Sequence, residues 1–126
     1  MNSANGSPHP SPEDTYYAAV DMLANGNLRG AVTAFRQCLA DDSTMLDAMH
    51  GLIRALKDLG EIDAAIDAAL RLAEIDPDDA LAHTSLSILY QAKGMIAEAE
   101  AEATKAKLLG WKMELGRQRE DRGGRR

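Results

Sequence analysis

Histidine and cysteine are the residues of this chain whose types could support catalysis or metal binding. His50 and His83 could ligate a metal, but the sequence places no third ligand with them, and two histidines alone make a poor site. Cys38, the only cysteine, would need an activating base and a positive setting to act as a nucleophile. One cysteine also excludes a disulfide within the chain. We therefore expect no catalytic residue, no metal and no cofactor.

Clustered carboxylates are the other chemical candidates. Acidic residues occur in two short runs, 41–42 and 76–79, which lack the alternating ligands and central glycine of a calcium loop. Helix capping accounts for both runs. Glu98, Glu100 and Glu102 alternate with alanine, which at a helical period predicts a solvated face beside an alanine packing face. With no glycine-rich phosphate loop and no nucleophile elbow, the sequence does not predict an enzyme.

Composition indicates one helical domain. The chain has 126 residues, of which 45% are apolar and only 4% aromatic, so small and aliphatic side chains must fill the core. Such a core suits closely packed helices. No apolar stretch is long enough to span a membrane, and the N-terminus lacks the basic and apolar regions of a secretory signal. We therefore expect a cytoplasmic protein that does not bind membranes.

Charge is unevenly distributed along the chain. Residues 13–110 carry 17 acidic and 8 basic side chains, whereas residues 111–126 carry 3 acidic and 6 basic ones. An acidic body disfavours nucleic acid as a partner. Both ends, 1–11 and 122–126, are rich in Ser, Pro, Gly, Asn or Arg and are predicted to be disordered tails.

An internal repeat of 34 residues organises the sequence. Four columns keep this period without an insertion: Gly26, Gly60 and Gly94; Ala31, Ala65 and Ala99; Leu28, Ile62 and Ile96; and Met22, Leu56 and Tyr90. Each period reads as two amphipathic helices that meet at the glycine, because glycine accepts the left-handed backbone that ends a helix. The predicted helices cover about 12–25, 28–41, 46–59, 62–75, 80–93 and 96–109.

Start and stop signals support these helices. Ser11 before Pro12 is a capping serine ahead of a first-turn proline, and Thr44 with Asp47 repeats the same pattern. The run 76–79 ends one helix and caps the next. Trp111 and Leu115 lie one turn apart after Gly110, so we predict a short capping helix over about 111–121 that covers the exposed end of the stack.

The repeated columns resemble those of the tetratricopeptide repeat family. The resemblance covers residues 12–113 and implies an all-α, right-handed α-solenoid of three helix-turn-helix repeats, about 12–45, 46–79 and 80–113, which with the capping helix form one domain over 12–121. Cys38 and His83 fall on packing positions of the family. The bulky residue of the second helix is Phe35 in the first repeat but Ala69 and Ala103 in the others.

The resemblance also implies a concave groove lined by the first helix of each pair. By register, the partner-binding residues are Tyr16, Tyr17, Val20, His50, Arg54, Lys57, Leu81, Thr84 and Ile88. The groove is expected to be apolar at both ends and charged in its middle. The two-carboxylate clamp of the family's chaperone-tail binders needs cations and amides at five positions, and here these hold Tyr16, Val20, Gly51, Leu81 and Ser85. That specific ligand is not expected.

The resulting prediction is a protein–protein interaction module, an adaptor or assembly factor that binds a protein segment in its groove. Two alternatives stay open: a small structural subunit permanently docked in a larger complex, and a secretion-type chaperone built from three such repeats. We expect a monomer with at most weak self-association.

Overall fold

The part of the chain that the structure describes forms six α-helices. The structure, a computed structural model, describes residues 10–124 and contains no strand within that range. The helices are α1 (Pro12–Ala24), α2 (Leu28–Asp41), α3 (Leu46–Asp58), α4 (Ile62–Ile75), α5 (Ala80–Ala92) and α6 (Ile96–Gly124). The predicted all-α class is confirmed, and the first five helices match their predicted bounds to within one residue.

Side-chain caps fix the start of several helices. The hydroxyl of Ser11 accepts a hydrogen bond from the Asp14 amide at 3.1 Å, as predicted, and Asn27 and Asp79 cap α2 and α5 in the same way. The prediction that Thr44 caps α3 is wrong. The carboxylate of Asp42 accepts hydrogen bonds from both the amide and the hydroxyl of Thr44, so that α3 begins without a side-chain cap.

The three turn glycines end their helices in the predicted conformation. Gly26, Gly60 and Gly94 have φ angles of +81°, +81° and +76°. Such a left-handed backbone is easily reached only by glycine, and it lets the chain reverse within three residues. The 34-residue glycine column therefore marks a geometric requirement at the tip of each helical hairpin.

The first compact unit, Met1–Glu61, contains α1, α2 and α3. Helices α1 and α2 form a hairpin, and α3 packs against α2 with a smaller contact to α1. Phe35, Cys38 and Ala31 on α2 are fully buried. The thiol of Cys38 donates a weak hydrogen bond to the Pro12 carbonyl at 3.6 Å, which ties the two helices of the hairpin together.

The second compact unit, Ile62–Arg126, contains α4, α5 and α6. Helix α5 packs against both α4 and α6. Ala69 and Leu72 are both fully buried. Where the first repeat has the large Phe35 followed by the small Cys38, this repeat has a small residue followed by a large one, so the total core volume is partly conserved. Ala65 and Ala99 are fully buried like Ala31, so the alanine column occupies core positions in all three repeats.

The predicted capping helix over 111–121 does not exist as a separate element. Helix α6 runs without interruption from Ile96 to Gly124, and Trp111 is 60% exposed. The corresponding positions after α2 and α4 hold Asp42 and Asp76, whose side chains bond backbone amides and stop the helix, whereas α6 has Gly110 there. An isolated glycine costs a helix about 1 kcal/mol but does not terminate it.

One core position of the earlier repeats is polar in α6. Val32 in α2 and Ile66 in α4 are buried, but the equivalent position in α6 is the exposed Glu100. A polar residue on the outer face of a terminal repeat needs no covering helix at that position. The prediction of a disordered tail from 122 is also wrong for residues 122–124, which are helical, while 125–126 lie outside the described residues.

The predicted N-terminal tail lies largely beyond what the structure describes. Residues 1–9 fall outside the described range, and Ser11 acts as the cap of α1. Among the described residues, no helix is long and apolar enough to cross a membrane.

Candidate functional site

An aromatic ladder on α1 and α2 supports the most exposed aromatic side chain of the first unit. The Tyr17 ring meets the Tyr16 ring edge-on at 5.5 Å between centroids, and Tyr16 packs on Phe35 at 6.0 Å. Phe35 is fully buried, Tyr16 is half-buried and Tyr17 is 65% exposed. The ladder thus runs from the core to solvent and presents Tyr17 on a rigid base.

Helix α3 completes the base of this ladder. A Cβ atom added at Gly51 would lie under 3.0 Å from three ring atoms of Phe35, so the absence of a side chain at Gly51 makes room for the ring. The register placed Gly51 in the groove, but the residue that it contacts belongs to the core. Helix α3 also contacts α1, and burial, followed by the negative charge of Asp47 in the first turn of α3, raises the pKa of Tyr16.

The remaining predicted residues of the first unit lie on α1 and α3. Val20, one turn after Tyr17, is 36% exposed. Arg54 is exposed and forms an ion pair with Asp58 at 3.7 Å, while His50 and Lys57 are half-buried. An exposed ion pair one helical turn apart contributes little stability, so Arg54 can exchange Asp58 for another anion at small cost.

Three predicted residues lie on α5 in the second unit. Leu81, Thr84 and Ile88 follow a spacing of three and four residues and are exposed, Leu81 by 56% and Ile88 by 45%. The hydroxyl of Thr84 is bonded to the Ala80 carbonyl of its own helix at 3.1 Å. Leu81, Thr84 and Ile88 together form a strip along α5, in which Leu81 and Ile88 supply the exposed hydrophobic area.

A buried polar cluster joins α5 to α6. The Nδ1 atom of His83 lies 2.7 Å from a carboxylate oxygen of Glu102, and its Nε2 atom lies 3.3 Å from the Pro77 carbonyl. Lys105 bonds the other carboxylate oxygen at 3.1 Å. Burial opposes the charge on Glu102, but the hydrogen bonds from His83 and Lys105 outweigh it and lower the pKa of this carboxyl.

Glu102 is the polar residue that the sequence interpretation placed wrongly. It was expected on the solvated face with Glu98 and Glu100, yet its side chain is only 12% exposed. Its own helix carried no signal of this burial, because the partner that compensates the charge, His83, lies on α5.

The other chemical candidates have structural roles in the described part of the chain. Cys38 is fully buried, and burial raises the pKa of its thiol, which disfavours the reactive thiolate. Asp42 and Asp76 hold turns through bonds to nearby amides. Within residues 10–124, no group of three or more His, Cys, Asp or Glu side chains is arranged to hold a metal ion.

The sequence and the structure both match known repeat proteins. Residues 22–87 match the family model described as tetratricopeptide repeat. A crystal structure of MamA superposes with a TM-score of 0.80 at 26% identity, covering 82% of this chain and 61% of that one. A second MamA structure is covered over 56% of its length, so the chain spans less than two thirds of either. A search among curated protein sequences finds no significant match.

Two further structures were solved with bound peptides. One is the type III secretion chaperone SycD of Yersinia enterocolitica in complex with a peptide of the translocator YopD, at 24% identity and a TM-score of 0.75, covering 77% of this chain and 74% of that one. The other is the second TPR of Spaghetti (RPAP3) bound to the HSP90 peptide SRMEEVD, at 13% identity and a TM-score of 0.74, covering 79% and 92%. At these identities the likeness shows a shared fold. The predicted tetratricopeptide-type solenoid is confirmed.

Proposed function

Because the chain belongs to the tetratricopeptide repeat family, we propose that it binds a segment of another protein as an adaptor or assembly factor. The family and the structural neighbours are protein-interaction modules. The bound peptides in the SycD and RPAP3 structures support the proposal, since the same fold holds short protein segments in both cases.

The observation that carries this proposal is the exposed ring of Tyr17 on its buried base. Burying an aromatic side chain contributes strongly to protein interfaces, and the contribution is largest when the ring is already held in place. Tyr17 is 65% exposed, yet its ring rests on Tyr16, which packs on Phe35. We assign Tyr17 and Val20 to the apolar contact with the partner segment.

Charge on α3 would set the register of that segment. Arg54 is exposed in its pair with Asp58, and His50 and Lys57 lie on the same helix, about one turn before and one turn after Arg54. Charged groups at an interface chiefly fix orientation and exclude wrong partners, whereas apolar area supplies the affinity. The segment is therefore expected to carry a charged residue beside its apolar anchor, and to bind at about micromolar strength because ordering a flexible segment offsets much of the gain.

The exposed strip on α5 is a separate part of the proposal. Leu81 and Ile88 are exposed apolar side chains two helical turns apart on α5, with Thr84 between them. Because this strip belongs to the second unit, its contribution is tested by its own variants, independently of Tyr17.

A photo-crosslinking experiment tests the proposal. A photoreactive phenylalanine analogue placed at position 17 should form an adduct with a discrete partner in native lysate, and the analogue at position 88 tests the α5 strip in the same way. Position 70 is the matched control, because Leu70 is also an exposed apolar residue, 42% accessible, but lies on α4 outside the predicted set. Equal adducts at positions 17 and 70, or none at 17, would contradict the assignment of Tyr17.

A further inference from the structure

The solvent-facing side of α6 carries a heptad pattern. Residues spaced alternately by three and four form one stripe, which we call the outer seam: Ala101, Thr104, Leu108, Trp111, Leu115 and Gln118. All six are exposed, with Leu108, Trp111 and Leu115 at 54%, 60% and 59%. This spacing is the one that places side chains along the contact line of two paired helices.

The equivalent positions of the other repeats do not share this character. The columns that hold Ala101, Thr104 and Leu108 in α6 hold Asp67, Leu70 and Glu74 in α4. In α2 they hold Thr33, Arg36 and Ala40. Each of those helices carries charge on this face, as a solvated surface requires, whereas α6 has replaced it with small and apolar residues and then continues the pattern through Trp111 and Leu115.

The outer seam points away from the rest of the second unit. Helix α6 contacts α5 through the side that includes the buried Ala99, Glu102 and the half-buried Leu109. At 100° per residue, the seam lies about 170° around the helix axis from that side. A second helix can therefore lie along the seam without meeting α5, the helix on which α6 packs.

We propose that the outer seam pairs with the same seam of a second copy of this chain, in antiparallel orientation. The side chains of the seam increase in size along α6, from Ala101 and Thr104 to Trp111 and Leu115. An antiparallel pair centred between Leu108 and Trp111 sets small residues against large ones: Ala101 faces Gln118 of the second copy, Thr104 faces Leu115, and Leu108 faces Trp111. A parallel pair would set alanine against alanine and tryptophan against tryptophan, leaving a void at one end and a collision in the middle.

The charges beside the seam neither drive nor oppose this pairing. The antiparallel register brings two pairs of opposite charge together, Glu98 with Arg119 and Lys107 with Glu114. It also brings two pairs of like charge together, Lys105 with Lys112 and Glu100 with Asp121. Burial of the apolar seam therefore supplies the affinity, and the association should depend little on salt. The seam spans 18 residues, about 27 Å of helix, which is short for a permanent dimer. We therefore expect weak association, with a dissociation constant on the order of tens of micromolar.

This inference does not rest on the proposed function, since the seam lies on α6 and the residues assigned to partner binding lie on α1, α3 and α5. It gives a residue basis to the weak self-association that the sequence left open, and it uses Trp111, which is exposed instead of covering the last repeat. If both hold, the protein presents two copies of its binding surface, and bivalent attachment raises the avidity for a partner with repeated segments.

Sedimentation equilibrium of the full chain from about 1 to 500 μM tests the pairing. The wild type should change from monomer to dimer across this range, at both low and high salt, with a blue shift in the emission of its only tryptophan, Trp111. Leu115→Glu should weaken the association at least tenfold. Met113→Glu is the matched control, because Met113 is 64% exposed on the same helix but lies off the seam, and this variant should dimerise like the wild type.

Cysteine cross-linking under mild oxidation tests the orientation. The double variant Thr104→Cys with Leu115→Cys should form covalent dimers, since the two positions face each other across an antiparallel pair. Either single variant should form no covalent dimer, because its two cysteines would be about 16 Å apart along the axis of the pair. The native Cys38 is fully buried and does not take part.

A wild type that stays monomeric throughout the range overturns the proposal. So does a dimer that Leu115→Glu leaves intact, which would place the contact elsewhere. Efficient cross-linking by the single variants would overturn the antiparallel arrangement.

Discussion

Gly51→Ala should destabilise the protein, although alanine is the better helix former. In the interior of α3 the substitution gains about 1 kcal/mol of helix propensity. The added Cβ would lie under 3.0 Å from three ring atoms of Phe35, which is fully buried. Because carbon atoms need about 3.5 Å, the ring must move by at least about 0.5 Å within a close-packed core. Overpacking of this kind costs about 2–3 kcal/mol, so the expected net loss is about 1–2 kcal/mol.

Urea and thermal unfolding followed by circular dichroism measure this change. The melting temperature should fall by about 4–8 °C. Gly110→Ala is the control, because a Cβ there meets nothing within 4 Å, and it should stabilise the protein by about 0.5–1 kcal/mol. Phe35→Leu combined with Gly51→Ala should cost less than the sum of the two single changes. If Gly51→Ala were as stable as the wild type, the ring would not rest on α3, and the rigid base assigned to Tyr17 would be refuted.

Three further predictions concern α6 and the ligand. Glu102→Gln should lower the free energy of unfolding by about 1–3 kcal/mol at pH 7, because it weakens charge-assisted bonds to His83 and Lys105. The folded-state pKa of Glu102 lies below its ordinary value of 4.5. The stability difference between the variant and the wild type is therefore present above pH 4.5 and is lost as the pH falls through the lowered pKa. Urea unfolding measured at several pH values would contradict this account if the difference grew on acidification. Trp111→Ala should cost less than about 1 kcal/mol in dilute protein, because the side chain is 60% exposed, and a loss of 3 kcal/mol or more in chemical unfolding would restore the capping role. The peptide SRMEEVD should bind no more tightly than about 1 mM in fluorescence anisotropy, because the positions of the carboxylate clamp hold no cation, and micromolar binding would show another recognition mode.

Most of the fold was predictable because its local signals agree with its period. The glycine column requires a left-handed backbone, and the turn glycines with the Ser11 and Asp79 caps fix where helices start and end. The misjudged boundaries have local causes. Thr44 does not cap α3, because its amide and hydroxyl both donate to the carboxylate of Asp42. Gly110 resembles the turn glycines in sequence, but no residue after it stops the helix.

The candidate site was predictable only by register. The 34-residue period indicates which face of each helix a residue occupies, and this placed Tyr17, Leu81 and Ile88 on exposed surface. It gave no information on contacts between helices, so the packing of Phe35 over Gly51 and the bond between His83 and Glu102 appeared only in the structure. Burial of a charged residue depends on its partner across the hairpin, which the residue's own helix does not specify.

The affinity of the cross-linked partner segment for matched variants tests the central claim most directly. In calorimetric titrations, Tyr17→Ala should weaken binding about ten- to thirtyfold while the circular dichroism spectrum stays unchanged, since the side chain is exposed but rigidly supported. Arg54→Glu should weaken binding as well, whereas Leu70→Ala and Arg36→Glu, exposed residues outside the assigned surface, should bind like the wild type. Unchanged affinity in both folded variants, Tyr17→Ala and Arg54→Glu, would contradict the account and move the binding surface away from α1 and α3.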